Sequence, residues 1–239
     1  GASIGGGGRI AVVYDPTAQA GMPKPRVVFS AARGSAADFG GDLRNTPHDL
    51  GTIYVPDGAV LDPAWMPHTG QIWMASAAWS VNSLTVSNGW IRFPADGFQL
   101  TVTNAALITG TAGRLELGGA QVSLLPYVGK YEYITCGTSG PTFTVGGNLF
   151  LTNGGGLIVY SAPTNGTAID YGALVTVAGD VVIGDTSCLY PHSHPTNGGS
   201  VLLRMNNLTV AGAGGGINAD FRGFRKALYE NAYFTRYNG

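Results

Sequence analysis

The residues best suited to chemistry in this sequence are two histidines near a cysteine, in the segment CLYPHSHP. His192 and His194 alternate with a serine, so in an extended segment both imidazoles would lie on one side, beside Cys188. Zinc needs three or four convergent ligands, and only His48, His68 and scattered carboxylates are left to complete a set. We therefore expect a proline-bounded surface loop, with no metal and no other cofactor.

Three charged residues late in the chain suit acid–base chemistry on a polysaccharide. A lyase that acts on uronate polymers needs a base next to the carboxylate and a cation to neutralise it. Asp180, Asp185 and Arg204 would line such a groove on successive rungs of a solenoid. Because they are spread singly, we expect them to solvate the outer face, and the sequence favours a protein that is not an enzyme. A polysaccharide-active, lyase-like enzyme is the alternative.

Four tryptophans, Trp65, Trp73, Trp79 and Trp90, fall within 26 positions. A row of indole faces on a flat sheet stacks on sugar rings through apolar contact. A second alternative is therefore a glycan-binding adhesin module whose partner is a cell-surface or matrix polysaccharide. The plainer interpretation is that these large aromatics fill a core.

Composition limits the other classes of function. The chain has 239 residues, of which 38 are glycine and 11% are charged, and its net charge is −1. It has no basic run for phosphates, so nucleic acid is not an expected partner. No apolar stretch approaches the roughly 18 residues of a spanning helix, so no membrane insertion is expected. Cys136 and Cys188 lack CxxC spacing, which leaves one disulfide or two buried thiols open.

The first residues lack the charged and apolar regions of a signal peptide. We expect either that a signal has been removed or that the chain is part of a longer protein.

From residue 71 the sequence is a series of short β-rich segments separated by Gly, Asn, Asp or Ser. A phrase with Thr-Val at its centre recurs at Thr85, Thr101, Thr144, Thr176 and Thr209, in steps of 16, 43, 32 and 33 residues. Such steps are typical of solenoid coils with loops of varying length, in which each Thr-Val rung lies above the previous one. The sequence therefore predicts an all-β, right-handed parallel β-helix, since parallel crossovers are right-handed.

An antiparallel β-sandwich or jelly roll is the alternative fold. Asn-Gly at 88–89 and 153–154 and Asp-Gly at 96–97 are dipeptides that close hairpin turns. The recurring phrase favours the solenoid, because a sandwich needs no such repeat.

Residues 1–239 are predicted to form a single solenoid domain. Residues 1–70 are loop-rich N-terminal coils, with strands at Arg9–Tyr14, Arg26–Ala31 and Thr52–Val55. Residues 71–221 are regular coils, and residues 222–239 are a C-terminal tail with the best helix candidate, Lys226–Ala232. The glycine runs lack the ending of a phosphate-binding loop and are expected to be turns between rungs.

Two segments carry a resemblance to a known group of proteins. GGGGRIAVVYD, residues 5–15, and GGSVLLRMNNLTVAGAGGGINADFRG, residues 198–223, resemble the glycine-rich parallel β-helix segments of large secreted surface proteins of planctomycete and verrucomicrobial bacteria. The resemblance implies a fold and an extracellular or cell-surface location, and it implies no reaction.

The order of the two segments suggests an assembly. In those proteins the phrase that closes this chain typically precedes the phrase that opens it, so residues 10–14 are expected to stack on the rung at 217–219 of a neighbour. The sequence thus favours a structural subunit of an extracellular filament or surface layer that assembles head to tail with itself. The alternative is one segment of a longer β-helical protein that makes the same contact in cis.

The residues assigned to this contact are Arg9, Ile10, Ala11, Val12, Val13, Tyr14, Ile217, Asn218 and Ala219, with Tyr229, Tyr233 and Phe234 as aromatic docking residues.

Overall fold

A computed structural model describes residues 6–34, 49–125, 130–135, 137–163, 171–195, 198–220 and 222–223. In these ranges the chain is all-β, with three parallel sheets and one antiparallel hairpin. The predicted helix Lys226–Ala232 lies outside them. No helix in the described ranges has the length and apolar character needed to cross a membrane.

The largest sheet, here called the long sheet, has eight parallel strands. In spatial order they are β1 (Arg9–Ala11), β2 (Thr52–Tyr54), β3 (Thr69–Trp73), β6 (Trp90–Phe93), β9 (Arg114–Leu117), β14 (Gly156–Tyr160), β17 (Cys188–His192) and β20 (Gly216–Ile217).

Two further sheets have five parallel strands each. The first short sheet contains β4 (Ala78–Val81), β7 (Gln99–Val102), β12 (Thr142–Val145), β15 (Ala173–Val177) and β18 (Val201–Arg204). The second short sheet contains β5 (Leu84–Ser87), β8 (Ala106–Thr109), β13 (Leu149–Thr152), β16 (Val181–Ile183) and β19 (Leu208–Val210).

From β4 onward the chain contributes one strand to the first short sheet, then one to the second short sheet and then one to the long sheet, and it repeats this order five times. Each repeat of three strands, one coil of a solenoid, is called a round here. Each strand pairs in register with the strand of the next round. An antiparallel hairpin of β10 (Ala120–Leu125) and β11 (Lys130–Thr135) is inserted between β9 and β12. This connectivity fits a β-solenoid.

The antiparallel sandwich is wrong, because every pairing within the three larger sheets is parallel. Asn88 and Asn153 have φ angles of 54° and 53°, a left-handed conformation that asparagine tolerates better than most residues. Each lies between a strand of the second short sheet and a strand of the long sheet. The Asn-Gly dipeptides therefore turn corners between sheets and close no hairpin.

The predicted Thr-Val column is confirmed for three positions and wrong for two. Thr144 pairs with Thr101 and Thr176 in the first short sheet. Thr85 and Thr209 lie in the second short sheet instead. The phrase occurs in both sheets because each needs an outward polar residue between two inward apolar ones.

The N-terminal region differs from its prediction in two places. Of the predicted strand Arg26–Ala31, only an isolated bridge between Ser30 and Thr69 forms. A short helix, α1 (Pro16–Ala20), was not predicted; the Asp15 side chain caps it by accepting from the Thr17 and Ala18 amides. Aspartate followed by proline is a helix-start signal that the sequence did contain.

The core lies between the three sheets and forms one apolar cluster from Ala31 to Leu189. Phe143 is 1% exposed and pairs with Leu100 and Val175 of the neighbouring rounds, whereas the adjacent Thr144 points to solvent. Inward residues therefore stack on inward residues of the next round.

Truncation of Phe143 is the direct test of this stacking. Phe143→Ala should lower the free energy of unfolding by about 3–5 kcal/mol, because it leaves a cavity in the middle of the column. Urea denaturation measures the loss, and Thr144→Ala on the same strand is the control, with an expected change within about 0.5 kcal/mol. Equal losses for the two variants would contradict the inward placement of Phe143.

Candidate functional site

The outward face of the long sheet carries charged and aromatic residues on neighbouring strands. Inward residues such as Ile91 are buried, so alternate residues of each strand point outward. The register places Arg92 beside Glu116, Glu116 beside Ile158, and Ile158 beside Tyr190. One column of outward side chains therefore runs across β6, β9, β14 and β17.

The column contains a buried ion pair. Arg92 and Glu116 are 0% and 2% exposed, and Arg92 Nε donates to Glu116 Oε2. Asp49 joins them, with Oδ1 and Oδ2 3.0 and 2.8 Å from Arg92 Nη1. Burial disfavours the charged guanidinium, but Glu116, Tyr160 and Asp49 outweigh this and hold the pKa of Arg92 above its usual value. Arg92 is therefore a permanent cation clamped between two carboxylates.

Glu116 also fixes the position of Trp90. The indole Nε1 donates to Glu116 Oε1 at 2.6 Å, so both oxygens of the carboxylate accept hydrogen bonds. The Cζ atom of Arg33 lies 4.8 Å from the centre of the indole ring, in a cation–π contact. The Trp90 indole is thus fixed at its edge by the hydrogen bond to Glu116 and on one face by Arg33.

A second arginine is held by the segment that follows β20. Arg222 Nε donates to His192 Nε2 at 3.0 Å, and its Nη1 donates to Asn218 Oδ1 at 2.9 Å and to the Asp220 carbonyl oxygen at 2.8 Å. Its Cζ atom lies 4.5 Å from the centre of the Tyr190 ring. The guanidinium is therefore stacked on an aromatic face and fixed in its plane.

His192 acts as an acceptor in this arrangement. Because Nε2 accepts from Arg222, the proton of the neutral ring is on Nδ1. Burial, and then the Arg222 cation, lower the pKa of His192 to about 3. Its ring centre lies 4.6 Å from that of Tyr160. His192 is neutral near pH 7 and positions Arg222.

Arg114 lies flat across the neighbouring strand. Its Nη1 donates to the carbonyl oxygens of Gly113 and Gly154, at 2.8 and 2.6 Å. A Cβ atom on Gly156 would come within 2.8 Å of Arg114 Cδ. Glycine at position 156 therefore makes the room that the arginine side chain occupies.

These side chains line a cavity of about 610 Å³. Its walls come from β6, β9, β14 and β17 and from Asn218, Asp220 and Arg222. The volume is in the range of small-molecule sites, roughly 300–1,000 Å³. The cavity thus combines two arginines, Arg114 and Arg222, with three aromatic rings, those of Trp90, Tyr160 and Tyr190.

The structure does not bring the predicted acid–base residues together. Asp180 lies between β15 and β16, where it accepts from the side chains of Asn206 and Asn207. Asp185 lies at the next corner, between β16 and β17, and Arg204 ends β18 in the first short sheet. The lyase-like alternative needs a groove shared by these three residues, and the structure does not form it, because they lie at separate corners and in different sheets.

The four tryptophans do not form the row that the glycan-binding alternative requires. Trp79 is buried in the apolar core. Trp73 and Trp90 lie on neighbouring strands of the long sheet but four positions out of register, since Trp90 pairs with Thr69. Trp65 lies outside the strands. The four indoles therefore do not form one flat surface, and of these four tryptophans only Trp90 lines the cavity.

In the described ranges no group of three or more His, Cys, Asp or Glu side chains is placed to hold a metal ion. His192 is bonded to Arg222, and His68 is buried with its Nδ1 accepting from the Phe29 amide. Cys188 is a free thiol. Cys136 and His48 lie outside the described residues.

The residues assigned to an end-to-end contact separate into two groups. Ile10, Val12 and Tyr14 pack against the chain's own core, and the Tyr14 hydroxyl donates to Asp57 Oδ1 at 2.6 Å. These three side chains therefore already pack within the chain, and their assignment to an end-to-end contact stays a prediction. Asn218 is partly buried and binds Arg222.

The exposed members of the assigned set are Arg9, Ala11, Val13, Ile217 and Ala219. The assigned aromatic residues Tyr229, Tyr233 and Phe234 lie outside the part of the chain that the structure describes.

Sequence reasoning missed the ion pair and the cavity. The sequence did contain a signal for the ion pair. In WIRF the basic Arg92 lies between two apolar residues, and in RLEL the acidic Glu116 does. In strands of a solenoid, such residues on adjacent rungs would pair. Comparison of the chain with family models, with curated proteins and with solved structures found no match.

Removal of one ion-pair partner should destabilise the fold. Arg92→Met leaves the Glu116 carboxylate buried without its cation and should lower the free energy of unfolding by about 3–5 kcal/mol. Arg92→Met combined with Glu116→Leu should recover most of that loss, because no fully buried charge is then left unpaired, and the remaining Asp49 carboxylate is 24% exposed to solvent. Urea denaturation measures both, with Arg204→Met as the exposed control. A double variant no more stable than Arg92→Met would refute the pairing.

Acid should destabilise the fold through His192. Since its folded pKa of about 3 is below the usual 6.5, the unfolded state binds the proton more readily, so stability is full above pH 6.5 and is lost as pH falls towards 3. The contribution is up to about 1.4 kcal/mol per pH unit.

His192→Gln keeps an acceptor for Arg222 without titrating, so its unfolding free energy should fall less steeply with acid than that of the unmodified chain. His194→Gln, on the same segment but less buried, should change the slope less. Denaturation curves across this pH window measure the slopes, and identical slopes for all three chains would contradict the assignment.

Proposed function

We propose that this chain is a right-handed parallel β-helix unit that stacks end to end with copies of itself, in an extracellular filament or bacterial surface layer. Its role is structural and involves no reaction. Three parallel sheets visited in turn support the helix, and the rule for parallel crossovers supports the right hand. The resemblance of the two glycine-rich segments supports the location.

The observation that carries the proposal is the position of β1 and β20. They are the two edge strands of the long sheet, and in the described residues β1 pairs with β2 and β20 with β17. The edge of a sheet is a row of main-chain donors and acceptors that pairs readily with another strand. A second copy placed end to end would continue the long sheet from β20 into β1.

The main-chain groups of β20 face that edge. The Gly216 amide donates to the carbonyl oxygen of Ser187, just before β17, and the Asn218 amide donates to that of Leu189 in β17. Because alternate residues of a parallel strand bond to opposite sides, the Ile217 amide and carbonyl point to the free edge. Ile217 is thus the residue that would pair with the incoming strand.

The apolar interior also opens at this end. Leu208 and Val210 pair with the buried Val181 and Ile183 of the previous round, yet are 46% and 48% exposed. At the other end of the molecule, Val13 is 82% exposed. Exposed apolar surface at both ends fits association between copies.

Proline at the free edge tests the stacking. Ile217→Pro removes an amide that points outward and leaves the bonds of Gly216 and Asn218 to β17 in place. We expect assembly of the full chain to be lost in sedimentation velocity and in electron micrographs, while Ile217→Val, which keeps the amide, assembles like the unmodified chain.

A second pair of variants tests the apolar end. Leu208→Lys with Val210→Lys should abolish assembly, whereas Thr209→Lys, whose side chain points outward from the same strand, should not. Assembly by the proline and double-lysine variants would overturn the proposed contact. An unmodified chain that stays monomeric at all concentrations would overturn assembly in trans and favour the same contact in cis within a longer protein.

A further inference from the structure

We propose that the cavity on the outward face of the long sheet binds an acidic saccharide, a sugar chain that carries carboxylate groups. This function is additional to end-to-end assembly and is carried by different groups. The cavity is formed by side chains, whereas assembly is attributed to strand edges and the apolar ends.

Two guanidinium groups in the cavity are available to a ligand. Within the described residues, Arg114 donates hydrogen bonds through Nη1 alone, and Arg222 through Nε and Nη1 alone. Among the described residues neither has a carboxylate partner, since the ion pairs there belong to Arg92. Each Nη2 group therefore keeps its donors free. Arg114 thus keeps Nε and Nη2 as a pair of donors that can bind a carboxylate bidentately, whereas Arg222 offers Nη2 alone.

Both cations lie close enough to Tyr190 to act on its hydroxyl group. Arg222 stacks on its ring, and both arginines lower the pKa of its hydroxyl, although burial outweighs them and raises it. Arg114 comes from β9 and its side chain lies over Gly156 of β14, whereas Arg222 stacks on Tyr190 of β17. Two separately held cations suit an acidic chain with more than one carboxylate better than one small anion.

The rest of the lining suits a sugar ring. Tyr190 and Trp90 present aromatic surface, which packs against the apolar faces of sugars. The Asp220 carboxylate is exposed, and the Asn218 amide nitrogen is not used in the bonds that its oxygen makes, so both can bond to hydroxyl groups. Aromatic rings, cations and hydroxyl-binding groups in one cavity point to a charged carbohydrate.

The same contacts favour binding without cleavage. Both oxygens of Glu116 accept hydrogen bonds from Arg92 and Trp90, and His192 Nε2 accepts from Arg222. Neither group is free to remove a proton from a bound sugar. The negative charge of Glu116 is also balanced by Arg92, so it does not oppose an anionic ligand.

Three probes of equal length separate charge from shape. We would titrate the full chain by calorimetry with trigalacturonate, with its fully methyl-esterified form, and with a sulfated trisaccharide. Trigalacturonate should bind, and the ester should bind at least about tenfold more weakly, because it lacks the charge that the arginines recognise. The sulfated trisaccharide should bind more weakly than the uronate.

Variants then assign the binding to the cavity. Arg114→Gln, Arg222→Gln and Tyr190→Leu should each weaken trigalacturonate binding by about tenfold or more. Arg204→Gln, an exposed arginine on the first short sheet, should leave it unchanged. Arg222 also holds residues 218–220, whereas Arg114 bonds only to main-chain oxygens, so Arg114→Gln keeps the test clear if Arg222→Gln changes the circular dichroism spectrum.

Four results would overturn the inference. They are no binding of trigalacturonate at millimolar concentration, equal binding of the ester, tighter binding of the sulfated trisaccharide, and unchanged binding by Arg114→Gln and Tyr190→Leu. None of them bears on assembly, which is measured by sedimentation.

Discussion

In-register parallel pairing is the constraint on which the rest of this structure depends. Strands about 4.8 Å apart stack residue on residue, so each round has to reach its corners at the same places as the round before. Phe143 then covers Leu100 and is covered by Val175, and every inward residue has an inward neighbour. Extra length is accommodated only between strands, as the hairpin after β9 shows.

The same pairing organises the outward face. Stacked positions one round apart are near neighbours, so opposite charges there attract and like charges repel. Arg92 over Glu116 satisfies this rule, and the buried pair also binds Asp49, which attaches the N-terminal region to the first complete rounds. A buried ion pair adds little net stability compared with apolar residues, but loss of one partner is costly. Its main effect is to fix which residues face each other.

Sequence reasoning reached the parallel all-β class because that class depends on local pattern. The Thr-Val phrase reports an outward residue between two inward ones, which holds wherever it occurs. It does not report which sheet a strand joins, since that depends on the lengths of all preceding corners. Thr85 and Thr209 were misplaced for this reason, and the pattern did not reveal which of the four tryptophans, Trp79 among them, point inward.

The cavity was out of reach for the same reason. Arg114, Tyr190 and Arg222 come from separate rounds and meet only after the register is known. The outward charges in WIRF and RLEL were visible, but the number of residues between them does not reveal that they pair. One sequence therefore shows which residues of a strand alternate between inward and outward positions. Which residues of neighbouring rounds lie side by side depends on the whole fold.

The two proposals meet at the residues around β20. Ile217 forms the free edge, while Asn218 and Arg222 form a wall of the cavity.

In the long sheet, Arg9 pairs with Thr52 and Thr52 with Gln71, which places Arg9 on the outward face, in the column of Arg92. Stacking that keeps inward residues inward would bring Arg9 of the next copy to the face that carries Asn218. A third cation there would strengthen the binding of an acidic sugar, and by reciprocity the bound sugar would strengthen the stacking. A surface layer built this way would be most stable where it is coated with its own ligand.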